Sequence, residues 1–345
     1  KYVEGMEGVH PGTYNLFVNF IGYCDISYMS PKIFNNCQVM IVDKIKMIHP
    51  HFMAIDAFRV YTDIYSIEFR LAKTFERMSK LEKYYPFNEN SIYNKIEYEI
   101  KLKEKEYDNT MIFIRKHIIH HSNFIVIGHY AFNRLMKHAD LKKYIIQEPF
   151  YTLISIDFKK DSDKIYHILN KQFSNKISTK RYYKFHDFID ESIEYFYNNQ
   201  IILRIYGNNL RCIPYDYSPK KKTKFGSSQL IMLYLLINYQ LAIIRKNNFN
   251  KVVYMTMVTR LLNARNKYLE DNSKTVLDKT VFEEFTIECI GLPENVLREK
   301  RLRIMDKKKR KIQPIVFRYN PKDNIPGKVP VFKFDNSSGE EKHKN

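Results

Sequence analysis

Asp25 is the residue whose type and setting could do chemistry. It lies in TYNLFVNFIGYCDISYM (residues 13–29), which alternates with period two. Tyr14, Leu16, Val18, Phe20, Cys24, Ile26 and Tyr28 fall on one face, and Thr13, Asn15, Asn19, Asp25 and Ser27 on the other. That pattern predicts a strand or hairpin arm with one apolar and one mostly polar face. Gly22 is a candidate bulge, which would reset the phase. A carboxylate on a strand is a rigid ligand for a divalent cation. Metal-assisted phosphoryl chemistry, however, needs two or three carboxylates converging from adjacent strands. One Asp cannot do this alone, and a lone Asp among polar neighbours is more often solvated surface.

The other acidic and histidine candidates are weaker. Asp56, Arg59 and Asp63 are spaced i, i+3, i+7, which predicts a salt-bridge stripe on a helix. His117, His120 and His121 have HxxHH spacing but no acidic residue in the run, so the blander reading is a helix end. His49 and His51 flank Pro50 and read as structural turn residues.

Basic residues form the larger signal. Arg70, Lys73, Arg77, Lys80 and Lys83 recur at helical spacing. Further clusters are Lys220, Lys221 and Lys222 with Lys224; Arg298, Arg301 and Arg303; and the KKKRK run Lys307, Lys308, Lys309, Arg310 and Lys311. Such runs are often solvated loops, and KKKRK also resembles a nuclear-import signal. Several clusters near tyrosines fit a groove that tracks the backbone of a single-stranded nucleic acid. No zinc-finger, KH, RNP or Walker-type signature is present.

The chain's 345 residues suggest about two domains. With 44% hydrophobic residues it can build a core, which excludes a disordered chain. Lys+Arg of 57 against Asp+Glu of 38 gives +19, which predicts a polyanionic partner. A basic membrane-surface protein is the rival. Abundant Ile, Lys and Asn with no Trp point to an AT-rich coding bias that inflates this charge. Cys24, Cys37, Cys212 and Cys289 lie far apart without CxxC spacing, so neither a zinc site nor a disulfide framework is expected, and a reducing compartment is. The start at Lys1, within a strand-like pattern, suggests that a segment precedes it. Leu230–Ile244 is too short for a bilayer span and reads as a buried helix.

The elements must position these residues. Residues 49–86 read as helical, with Ile67, Leu71, Phe75, Met78, Leu81 and Tyr85 as the buried stripe and Pro86 as the stop. The charged run 95–106 reads as a solvated helix. A second module begins near 120: strand 124–127, a turn at Gly128, helix 131–138, strand 150–158 and helix 163–173. A hairpin turns at Asn198-Asn199, a further turn is expected at Asn208-Asn209, strand 211–215 follows, and helices cover 230–246 and 251–269. Residues 291–345 hold fifteen Lys/Arg against seven Asp/Glu, so this stretch carries +8 of the +19. Its five prolines predict an extended tail with disordered last residues. The expected divisions are 1–48, 49–118, 119–290 and 291–345.

The order GYCDISYM, SPKIF, MIHPHFMAIDAFRVYTD and FRLAKTFERMSKLEKYYP resembles the poly(A) polymerase catalytic subunit of large DNA viruses, of the poxvirus and giant-virus type. IVIGHYAFNRL, RIYGNNLRCIPYD and GSSQLIMLYLLINYQ are similar to its carboxy-terminal half. The resemblance covers nearly the whole chain. It implies an α+β fold: part of a polymerase-beta-type nucleotidyltransferase domain, a helical connecting region, then a second, degenerate nucleotidyltransferase-like domain and the basic tail. The family uses a Gly-Ser turn, an Asp-x-Asp pair and a third Asp on a later strand. Asp25 stands where the third Asp would be, and nothing before it supplies the other elements. In the second module Gly128 follows a strand as in the catalytic module. Asp157 is followed by Lys159 rather than a carboxylate, and Ile213-Pro214 stands where the third Asp would fall, which implies a scaffold.

The activity implied is template-independent addition of AMP from ATP to RNA 3′ ends. Mg²⁺ or Mn²⁺ would be the cofactor, and Asp25 would bind the ion that activates the attacking hydroxyl. The implied partners are the RNA 3′ end, ATP and either a second copy or a viral accessory subunit, with no membrane. The implied location is the host cytoplasm or the virion. Two other readings compete: a non-catalytic RNA-binding scaffold on a decayed transferase fold, and a sensor-type transferase that makes an oligonucleotide messenger.

Overall fold

The computed structural model describes residues 3–7, 13–27, 29–63, 67–88, 96–120, 124–185, 188–208, 212–284, 288–291, 296–310, 317–319 and 333–334. They divide into two compact units, Lys1–Pro31 with Glu294–Asn345, and Lys32–Pro293. In chain order the elements begin with β1 (Val3–Glu7), β2 (Thr13–Val18), β3 (Ile21–Ser27) and a short α1 (Pro31–Phe34). Then come β4 (Val39–Val42), β5 (Ile45–Ile48), α2 (Pro50–Thr62), α3 (Ile67–Tyr84) and α4 (Glu104–Ile114), which ends in a π-helical turn, Arg115–Ile119. The next run is β6 (Ile125–Ile127), α5 (Gly128–His138), β7 (Tyr151–Ser155), α6 (Phe158–Gln172), β8 (Ile177–Tyr182), β9 (Ser192–Tyr197) and β10 (Gln200–Gly207). Last are β11 (Ile213–Ser218), β12 (Thr223–Gly226), α7 (Ser228–Ile244), α8 (Asn248–Asp271), β13 (Cys289–Ile290), α9 (Val296–Lys309), β14 (Phe317–Tyr319) and β15 (Lys333–Phe334).

The first unit is a sheet of order β15-β14-β1-β2-β3. The expected arm at 13–29 is a β2–β3 hairpin. Asn19 and Phe20 both take positive φ (49° and 66°), the two-residue turn whose twist matches the strands. A bulge does occur: Leu16 pairs with Cys24 and Phe17 with Gly22, which leaves Tyr23 as the extra residue. Asn15 and Asp25 pair directly across the ladder, as their shared face predicts. Tyr28 lies outside the described residues.

The basic tail is not simply extended. Residues 296–309 form α9, and β14 pairs with β1. Between Pro293 and Pro314 no proline interrupts a stretch rich in Leu, Arg, Lys, Met and Glu, all good helix formers. The final residues, 335–345, lie outside the described set.

The second unit is built on a mixed sheet of order β13-β11-β12-β6-β7-β10-β9-β8. β6 runs parallel to β12, β7 runs parallel to β10, and the remaining pairs are antiparallel. The expected strands and helices of residues 124–173 and 230–269 are β6, α5, β7, α6, α7 and α8. Asn198 and Asn199 turn the β9–β10 hairpin with φ of 48° and 62°. The turn expected at Asn208-Asn209 reaches residues outside the described set. Helix α7 is apolar on every side because α2, α5 and α8 all pack on it. Among the described residues no helix is long and apolar enough to cross a membrane.

The helical reading of residues 49–86 is met by two helices, α2 and α3, with an extended cap at Asp63 (φ −98°, ψ 92°). His49 caps α2 by accepting the His51 amide at 3.1 Å, and His51 Nε2 lies 3.0 Å from the Tyr85 carbonyl. The run 95–106 is not one helix, since 96–103 is irregular and α4 starts only at Glu104. Ile96 and Leu102 are buried, Tyr98 Oη sits 2.6 Å from His129 Nε2, and the Lys101 amide donates to Gln200 Oε1. Those tertiary contacts override the helical preference of the charged run.

The cysteines also depart from expectation. Cys212 and Cys289, 77 positions apart in sequence, form a disulfide with Cα atoms 5.4 Å apart. β11 pairs antiparallel with β13, Pro214 opposite Cys289, so strand pairing brings together what the chain separates. Wide spacing in sequence therefore does not keep these two cysteines apart. Cys24 is free and exposed, and Cys37 free and buried.

Candidate functional site

Asp25 lies on β3, the edge of the first unit's sheet, and is exposed. Asn15 Nδ2 on β2 donates to Asp25 Oδ1 at 2.5 Å. The directly paired backbone thus supports an amide that fixes the carboxylate. Among the described residues no group of three or more His, Cys, Asp or Glu side chains converges. The donor set a two-ion site requires is not present in them: Asp25 contributes one carboxylate, flanked by an amide.

The corresponding crevice of the second module is at the start of α5, and it is filled. Gly128 takes φ +69°, and a Cβ there would lie 2.8 Å from Thr152 Oγ1 and 2.9 Å from Thr152 Cβ. Only glycine lets β6 turn into α5 this close to β7. The cavity beside it, between Gly128, His129, Thr152, Arg204, Asn238 and Tyr254, measures about 10 Å³. That is room for one water, whereas ligand pockets begin at about 300 Å³. Gly128→Ala is expected to destabilise the fold by about 2–4 kcal/mol, through left-handed backbone strain plus overpacking. Urea denaturation checks this, and an unchanged midpoint would contradict it.

Two groups that sequence reasoning missed plug this crevice. His129 is 2% exposed and its Nδ1 has no hydrogen-bond partner. Burial, helped by the Arg204 charge, pulls its pKa down to about 3, so the ring is neutral. Arg204 lies on β10 directly across from Glu194 on β9. Its Nη2 and Nε donate to Glu194 Oε1 at 2.5 and 2.9 Å. Nη1 reaches Asn238 Oδ1 at 3.3 Å, and the guanidinium lies 4.9 Å from the Phe150 ring. Tyr182 Oη donates to Glu194 Oε2 at 2.7 Å. The signal was present in QIILRIYG, where one arginine interrupts a strand otherwise fit for a core.

Asp157 precedes α6 and its amide donates to Ser155 Oγ; among the described residues it belongs to no cluster of three or more His, Cys, Asp or Glu side chains. Ile213 and Pro214 lie at the head of β11 and are buried. Asp56 and Arg59 do form an ion pair, at 3.2 Å. His117 packs on the Phe113 ring at 4.6 Å, and His121 lies outside the described residues.

The basic candidates fall in both units. Arg70, Lys73, Arg77 and Lys80 lie on α3, where Lys73, Arg77 and Lys80 are exposed and Lys80 pairs with Glu76 at 2.6 Å. Of the stripe expected beneath them, Met78 and Leu81 are buried, but Phe75 and Tyr85 are each 37% exposed. Lys220, Lys221 and Lys222 are exposed in the β11–β12 turn, where Lys222 takes φ 48°. Lys221 Nζ donates to Tyr130 Oη at 3.2 Å and lies 5.0 Å from that ring. Among the described residues no hydrogen bond or ion pair joins the α3 set to this turn. In the first unit, α9 carries Arg298, Arg301, Arg303 and Lys307 to Lys309; Arg310 follows and pairs with Asp306. Lys311 lies outside the described residues.

This architecture, an α+β nucleotidyltransferase fold, has a close counterpart. The crystal structure titled Megavirus polyadenylate synthase superposes with a TM-score of 0.85 at 29% identity, covering 94% of this chain and 67% of that one. A family model described as "APMV, Putative poly(A) polymerase, catalytic subunit, C-terminal" matches residues 79–344, and "Poly(A) polymerase catalytic subunit" matches residues 1–66. The chain belongs to the viral poly(A) polymerase catalytic-subunit family. It is similar to a "Putative poly(A) polymerase catalytic subunit" of Acanthamoeba polyphaga mimivirus, 31% identical over 358 residues. That match covers 94% of this chain and 60% of the relative, so the chain spans well under two thirds of the relative's length. A protein of the same name from African swine fever virus (strain Badajoz 1971 Vero-adapted) is 28% identical over 95 residues, covering 25% of this chain and 19% of that protein.

Proposed function

We propose that the gene product carrying these 345 residues adds AMP from ATP to RNA 3′ ends without a template. Family membership supports the reaction class. The observation that carries the site is the Asp25 carboxylate held on a paired hairpin by Asn15. A divalent ion, Mg²⁺ or Mn²⁺, would supply Lewis-acid activation of the RNA 3′ hydroxyl. The described residues do not complete its ligand set. What this chain contributes is an oriented carboxylate, with Asn15 holding Oδ1 so that the group keeps one rotamer. The exposed cations of α3, the β11–β12 turn and α9 meet RNA phosphates. The second module, its crevice closed by His129 and Arg204, serves as a scaffold.

The test is extension of an oligoadenylate primer by the complete gene product with ATP and Mg²⁺ or Mn²⁺. Asp25→Ala is expected to lower the rate at least about 100-fold, that is, by roughly 2.7 kcal/mol of barrier, with the melting temperature unchanged because the residue is exposed. Normal extension by the variant would remove Asp25 from the site. RNA binding with no extension by the parent protein would establish the non-catalytic scaffold instead.

A further inference from the structure

We propose that the outer edge of the eight-stranded sheet, β8 and the residues that leave it, is a binding track for single-stranded RNA. Its phosphates would sit between Lys180 and Arg245, and a base would stack on Tyr183. The inference rests on the reading above only in taking RNA as the substrate class.

Among the described residues, β8 is the terminal strand of the sheet and pairs with β9 alone. Lys180 Nζ lies 5.2 Å from the centroid of the Tyr182 ring, and the Arg245 guanidinium, at the end of α7, lies 4.9 Å from the same centroid. Two exposed cations thus converge on one ring. The ring is held in place by its hydroxyl, which donates to Glu194.

Two of the nearby carboxylates are already committed. Glu194 is paired with Arg204 and Tyr182, and Asp163 with Arg181 at 3.5 Å. Among the described residues Lys180 and Arg245 have no carboxylate partner. Each cation lies about 5 Å from the Tyr182 ring and is open to an anion arriving from solvent. Lys176, Lys184 and Lys246 are exposed around the same edge and extend the positive surface.

Tyr183, one residue beyond β8, is 96% exposed. A bare aromatic ring beside converging cations is the combination that binds single-stranded nucleic acid: the ring stacks a base of any identity while the cations take phosphates. Edge lysines alone have a blander use, guarding a strand against pairing with another sheet. That accounts for Lys180. It does not account for Arg245, which arrives from a helix end, or for the bare Tyr183.

The experiment measures anisotropy of a labelled oligoadenylate of about 15 nucleotides, roughly the span of one such site, on the complete gene product across a salt series. The parent is compared with Lys180→Gln/Arg245→Gln and with Tyr183→Ala. Each variant is first confirmed to melt with the parent. The double variant is expected to bind roughly tenfold more weakly, and to lose about 1.4 from the log–log salt slope, since each single-strand phosphate contact contributes about 0.7. Tyr183→Ala is expected to weaken binding roughly tenfold with the slope unchanged. If the parent binds RNA and both variants match it, the track is wrong while the RNA reading stands. If the parent does not bind RNA at all, both fall. Loss of polyglutamate binding with RNA binding intact would overturn the track in favour of an acidic protein partner.

Discussion

Glu194→Ala is expected to destabilise the protein by about 3–5 kcal/mol, because it strips the counter-ion from a charge that cannot leave the core. The Arg204 side chain is 15% exposed and that of Glu194 7%. The guanidinium is fixed by the β9–β10 register, by Asn238 and by the Phe150 ring. With Glu194 gone, the guanidinium charge would be met only by neutral partners, the Asn238 amide oxygen and the Tyr206 and Tyr254 hydroxyls. Tyr182 would lose its acceptor as well. A fall in melting temperature of roughly 5–15 °C is expected. The paired replacement Glu194→Leu with Arg204→Met is expected to recover most of that loss, because a buried ion pair gains little over apolar groups of similar volume. A double-mutant cycle reads both. If Glu194→Ala melted with the parent, the pair would not be buried in solution.

The second large effect is with pH. His129 has a folded-state pKa of about 3 against 6.5 for an ordinary histidine, chiefly because burial disfavours its charged form. The unfolded chain therefore binds a proton below 6.5 that the folded chain refuses. The stability associated with the neutral ring is fully present above pH 6.5 and is lost as pH falls toward 3. The slope is about 1.4 kcal/mol per pH unit, roughly 4–5 kcal/mol over the whole window. His49, His51 and His138 are also lowered by burial and add in the same direction. His129→Gln isolates the single contribution. Between pH 6.5 and 5, before most carboxylates titrate, urea midpoints of the parent should fall more steeply than those of the variant, by about 2 kcal/mol. Parallel slopes would show that the ring protonates freely.

The elements read best from sequence were those decided by local chemistry. The period-two run around Asp25 became a hairpin with Asn15 opposite Asp25, and two asparagines made the β9–β10 turn. The apolar run after 228 became the central helix of its unit. The readings that failed depended on which distant strand a segment meets. Cys212 and Cys289 look remote until β11 and β13 pair. Residues 96–103 look like part of a charged helix until Tyr98 finds His129. Among the candidate residues, Asp25 in the first unit stood out by type and setting, whereas Arg204 and His129 in the second did not. Their roles come from being enclosed, and enclosure is a property of the packed sheet rather than of any window of residues.

The pairing of β1 with β14 sets an order of events during synthesis. Val3 meets Tyr319, so on the ribosome the first strand emerges long before its neighbour exists. At about 5–20 residues per second the wait is roughly 15–60 s, far longer than a hairpin takes to form. In that interval the 32–293 unit can complete itself, while β1 has β2 on one side and nothing on the other. An open strand edge is a template for the wrong partner. Until β14 is made, the nascent chain therefore carries an open edge at β1, and a holding chaperone would have that edge to protect.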